Sequence, residues 1–177
     1  MATTPPTRGH TLGAAAFTQA EATHALATLV AAVRALPTAD QPHRAHRRWW
    51  EILLFLPSPA ERAARRWHEA SGRVDAAADA LHRSHARLQA HLRTQARDTN
   101  TQNTTPAADA TAALMAAHQE AGARVVDAQT QALAAQIAHV LDHALPLWET
   151  HKGLRRTPNA AAGLPPTQHH ALLEALA

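Results

Sequence analysis

The chain has 177 residues, of which 46% are apolar, 18% charged and only 3% aromatic, with a formal net charge of +3 and no cysteine. That length suits one domain, and the lack of cysteine excludes disulfides, thiolate metal sites and a cysteine nucleophile. Lys152 is the only lysine and there is no tyrosine, so the high isoelectric point follows from arginine and is not by itself a sign of a nucleic-acid partner.

Much of the apolar content is alanine, the best helix former, while β-branched and aromatic residues are sparse and no stretch keeps a strand's alternation. The expected class is all-α, with a thin core. Residues 1–16, with Pro5, Pro6 and Gly9, read as a flexible N-terminal tail, residues 17–151 as a single helical domain, and residues 152–177 as a loose C-terminal tail with a possible short helix capped by Thr167. The first predicted helix begins at "TQAE", where Thr18 is placed to cap and Glu21 to reach back in a capping box. Leu26, Leu29, Val30 and Val33 form its apolar stripe, and Pro37 stops it near Leu36.

A second helix is predicted over residues 42–56, in the segment "HRRWWEILLFLP". Its run of large apolar side chains fits burial inside a helical end-layer, since a membrane-surface helix needs a polar face and only Glu51 offers one. The third helix opens at "SPAE": Ser58 caps, Pro59 takes the first helical position and Glu61 the reciprocal capping position. It runs to about Arg97 along a heptad seam of Ala60, Ala63, Trp67, Ala70, Val74, Ala77, Leu81, Ser84, Leu88, His91 and Gln95.

The polar stretch "DTNTQNTTP" reads as a loop. The fourth helix starts at Thr105 and Pro106 and is kinked or ended by Pro146. Its seam is Met115, Gly122, Val126, Leu133, Ile137, Val140 and Ala144, widened by Leu114, Val125 and Leu141. Residues 58–97 carry eight arginines against four carboxylates, and residues 106–151 one arginine against five, so the two long helices are oppositely charged. The expectation is a long antiparallel helical hairpin, coiled-coil-like, with Trp67 opposite the neighbourhood of Ile137 and Leu88 opposite that of Met115. The two shorter N-terminal helices pack at its open end as in a four-helix bundle, gathering Trp49, Trp50, Trp67 and Trp148 as core or interface residues.

Such a hairpin is superficially similar to the small helical-hairpin proteins of actinobacterial type VII secretion systems. Residues 98–106 carry no Trp-x-Gly turn, however, and the chain has no tyrosine for that family's Tyr-containing signal, so no family is assigned.

Arg44, Arg47, Arg48, Arg62, Arg65, Arg66 and Arg73 are the candidates for binding an anion or an acidic partner. The first six lie in early helical turns, where the helix dipole disfavours cations by ~0.3–1 kcal/mol each. Pairing of Glu51 with Arg47 and Arg48, of Glu61 with Arg65, and of Glu69 with Arg62, Arg65 or Arg66, would offset this. His139, Asp142 and His143 are weak candidates for a metal, and Glu21 with His24 and Asp79 with His82 repeat an acid-x-x-His spacing. Scattered histidines from biased codon usage explain these as well, so no metal and no cofactor is expected. His91 and His118 read as polar interruptions that fix register.

No glycine-rich phosphate loop, nucleophile elbow or Ser/His/Asp constellation is present. The expected function is that of a non-enzymatic helical protein working by protein contacts or self-association. An accessory protein that grips nucleic-acid phosphates through arginine is the alternative. No segment reaches the ~18 apolar residues of a membrane span, so integral membrane insertion is not expected and a cytoplasmic location is.

Overall fold

The computed structural model describes residues 8–39, 57–101, 110–154 and 163–177, and all elements among them are α-helical: α1 (Arg8–Arg34), α2 (Pro59–Thr101), α3 (Ala110–Leu154) and α4 (Pro166–Glu174). The predicted helix over residues 42–56 lies outside the described residues.

α2 starts as its sequence demands. The Ser58 N–H donates to Glu61 Oε2 at 2.5 Å and the Glu61 N–H to Ser58 Oγ at 3.1 Å, the reciprocal pair of a capping box, with Pro59 first in the helix. α1 does not start as predicted. It begins at Arg8, well before Thr18, so the expected loose tail is helical from that residue on. Thr18 Oγ1 donates to the Ala14 carbonyl one turn back, and Glu21 pairs with Arg87 of α2. The alanines at 14–16 extend the helix through the apparent capping box.

α3 also continues past its predicted stop, running through Pro146 to Leu154. Proline there removes the N–H that would meet the Asp142 carbonyl, a loss that a long, well-packed helix tolerates. Before it lies the buried series Ala134, Ile137, Val140 and Ala144, and Trp148 follows.

The chain divides into two compact units. The first combines the described parts of Met1–His24 and Leu81–Ala138. Here the Gln19 amide of α1 donates to Thr130 Oγ1 at 2.5 Å and to the Val126 carbonyl at 3.2 Å, while Thr130, buried to 1% exposure, returns its own proton to the Val126 carbonyl. A fully buried hydroxyl is thus satisfied between α1 and α3.

The second unit combines the described parts of Ala25–Ala80 and His139–Ala177. The C-terminal segment is not a loose tail. Leu164, Leu172 and Leu176 are buried, and Leu164 forms a one-residue parallel bridge with Thr38. In that bridge the Leu164 N–H donates to the Pro37 carbonyl at 2.9 Å and the Ala39 N–H to the Leu164 carbonyl at 2.7 Å. The His169 ring Nε2 lies 2.9 Å from the Val33 carbonyl, so it donates to one of the last carbonyls of α1, which also accepts the Leu36 N–H at 3.1 Å. α4 is preceded by Pro165 with no side-chain cap, and Thr167 falls within the helix.

Gly163 makes this docking possible, because a Cβ at that position would stand 2.7–2.8 Å from backbone atoms of Pro37, Thr38 and Ala39. Gly163→Ala is therefore expected to cost about 1–3 kcal/mol, the usual penalty of overpacking. In amide exchange, protection should fall over residues 163–177 and at Ala39, with α2 little changed.

Candidate functional site

The predicted seam of α2 is buried over most of its length: Trp67, Ala70, Val74, Ala77, Leu81, Ser84 and Leu88 are all inaccessible, and Ala60 at the start is exposed. Ser84 satisfies its hydroxyl within its own helix, on the Leu81 carbonyl at 2.9 Å. His91 and Gln95 are half-buried near the end of the seam.

The α3 seam divides. Ile137, Val140 and Ala144 are buried and Val126 and Leu133 half-buried, but Met115 is 71% exposed and Gly122 is exposed too. Trp67 has a ring partner in Trp148, with centroids 6.0 Å apart and planes tilted by 50°.

Trp148 and Trp67 sit together in the second unit, and Trp49 and Trp50 lie outside the described residues. The Trp148 indole is 1% exposed, and its N–H is satisfied by Asp75 Oδ1 at 2.9 Å. The other Asp75 oxygen takes Lys152 Nζ at 2.7 Å. One carboxylate thereby serves both a buried indole and the chain's single lysine. Sequence reasoning missed this node; its signals were an aspartate beside the seam residue Val74 and a lysine with no sister anywhere in the chain.

Of the arginine candidates, Arg44, Arg47 and Arg48 lie outside the described residues. Arg62, Arg65, Arg66 and Arg73 are all exposed on the first half of α2. Arg62 donates to the Pro57 carbonyl at 2.6 Å, and Arg66 Nε lies 3.4 Å from the Arg62 carbonyl. Among the described residues no salt bridge joins Glu69 to Arg62, Arg65 or Arg66, so the pairing expected of Glu69 does not form there.

A second exposed surface runs along α3 in the first unit. Leu114, Ala121, Ala128 and Ala135 repeat at heptad spacing, with His118, Val125 and Ala132 between them, and every one is exposed, Leu114 to 74% and Val125 to 58%. The stripe has no charged member, and Glu120 and Arg124 at its flank neutralise each other at 2.7 Å.

His139, Asp142 and His143 line one shallow depression of about 540 Å³ with Pro146, Leu147, Thr150, Glu174 and Ala175. The two imidazoles stack at 4.2 Å with planes 29° apart. Among the described residues no group of three or more His, Asp or Glu is arranged to hold a metal ion, and neither acid-x-x-His pair joins such a group. No described helix is long and apolar enough to cross a membrane.

Comparison with protein-family models, with curated protein sequences and with solved structures finds no match for this chain.

Asp75→Ala is expected to strand a buried indole N–H and unpair Lys152, costing about 1–3 kcal/mol in urea unfolding. Asp75→Asn keeps one acceptor for Trp148 and should lose less. Equal losses would show that the carboxylate charge, and not the indole bond, sets the effect.

Proposed function

We propose that this chain is a non-enzymatic helical protein that works by contact with other protein, and first of all with a second copy of itself. The observation that carries this reading is the uncharged stripe of α3, where leucine, valine and heptad-spaced alanines face solvent along the first two-thirds of a long helix. Alanine at the seam lets a second helix approach closely, and heptad spacing keeps the contact continuous. A two-fold symmetric contact brings a face against its own copy, so a face without net charge meets no repulsion from itself.

In the same reading α2 and α3 form a long antiparallel hairpin. The bonds from Trp148 and Lys152 to Asp75 support the pairing, and the opposite net charges of the two helices favour it. The exposure of Leu114 and Met115 supports a register in which the first turns of α3 run beyond the last seam residues of α2.

A second reading keeps one observation in its favour. Arg62, Arg65, Arg66 and Arg73 present cations on one stretch of α2 without salt bridges to Glu69, a surface that could hold a phosphate backbone with no sequence preference.

Sedimentation velocity over a wide range of protein concentration tests the main reading. Dimer is expected to form in the wild type and to persist at high salt, and Leu114→Glu with Val125→Glu should return the chain to monomer with unchanged helicity. A wild-type monomer at every concentration would contradict it. A mobility shift with nucleic acid that weakens steeply with salt, and is lost on replacing Arg65 and Arg73, would favour the second reading.

A further inference from the structure

We infer that His139 and His143 form a two-nitrogen chelate for a borderline divalent transition ion, namely Cu(II), Ni(II) or Zn(II). The inference rests on the second unit alone and is independent of the self-association reading.

Residues four apart on a helix share a face, and the two rings stack face to face with centroids 4.2 Å apart, so a small side-chain rotation brings the two free ring nitrogens onto one ion. His143 Nδ1 lies 2.9 Å from the His139 carbonyl oxygen. A carbonyl only accepts, so Nδ1 carries the proton, and in the neutral ring the lone pair is left on Nε2. An imidazole that donates one N–H to a backbone carbonyl and offers the other nitrogen is the usual form of a metal-bound histidine, oriented and made more basic by that bond. The hydrogen bond here thus prepares the ring for coordination before any ion arrives.

The surroundings favour a cation. Asp142 and Glu174 border the same depression, as does the Thr150 hydroxyl, and among the described residues no arginine or lysine lines it. Glu174 shares its charge with His170 at 3.2 Å when that ring is protonated. Because no three described ligands converge, the protein supplies two nitrogens, and water or an external donor fills the remaining positions. Two imidazoles without a cage of oxygens select against Mg²⁺ and Ca²⁺, which need several hard oxygen ligands, and favour the ions for which imidazole affinity is high.

The test is calorimetric titration of the full chain with NiCl2 at neutral pH, with circular dichroism to check that each variant keeps its helicity. The wild type is expected to bind one equivalent more tightly than the background set by the remaining histidines. That equivalent should disappear in His139→Ala and in His143→Ala, and the double variant should lose no more than either single, since a chelate fails when either arm goes. His143→Gln retains an N–H donor but no lone-pair nitrogen and should also fail. The loss in affinity should exceed the ~10-fold that removal of an outer-shell partner alone causes. The inference is overturned if a single variant binds as the wild type does, or if the losses of the two singles simply add, which describes two unrelated histidines. Acidification should weaken binding in the wild type, because protons compete for the same nitrogens.

Discussion

An alanine-rich helix pair has few large side chains with which to hold its register, so a single well-anchored indole carries unusual weight. Trp148 is that anchor. It is 1% exposed, lies against Trp67, and has its polar atom met by Asp75. Burying so large a ring gives the second unit apolar contact that its alanines do not supply, and it does so without a polar cost only because the N–H is bonded. Lys152 holds the same carboxylate from one turn further along α3. The ion pair is partly exposed and contributes little by itself; its effect is to fix the oxygen that Trp148 needs.

The parts of the fold that rest on local chemistry were legible in the sequence. The all-helical class follows from composition, and the start of α2 follows from Ser58, Pro59 and Glu61, whose bonds are those of a capping box. The α2 seam is buried nearly residue by residue as its spacing requires. What the sequence hid depended on tertiary context. Thr18 and Glu21 have capping-box spacing, yet alanines upstream carry the helix past them, and Arg87 gives Glu21 a different partner. Pro146 reads as a terminator, but the packing around Ala144 and Trp148 outweighs one missing backbone bond. The C-terminal segment reads as a tail because its docking is made by Gly163 against backbone and by His169 on a helix-end carbonyl, contacts that no periodicity encodes. The candidate surfaces were legible only in part. Charge spacing suggested neutralised arginines on α2 where Glu69 forms no salt bridge with them, and Met115 and Val125 were read as seam where they are exposed.

The resulting picture assigns different roles to the two ends of α3. Its C-terminal half is built for internal packing through Ile137, Val140, Ala144 and Trp148, with the histidine pair on the outer side. Its N-terminal turns leave Leu114, Met115 and Val125 in water. Stretches of helix this rich in alanine are marginal in water without tertiary cover, and exposed apolar surface along a continuous stripe marks a contact surface more often than scattered exposure does. A thin core and an uncovered stripe are two results of one composition: alanine makes the helices long and lets them approach closely, but it buries little apolar area, and the proposed role of the stripe is to have that burial completed by a second copy.

The measurement that tests this most directly is amide hydrogen exchange along α3 at low and at high protein concentration. If a second copy covers the stripe, protection over residues 110–135 rises with concentration, while residues 139–154, already packed around Trp148, exchange at the same slow rate throughout. Equal protection of residues 110–135 at both concentrations would contradict the account and leave the stripe a solvated face.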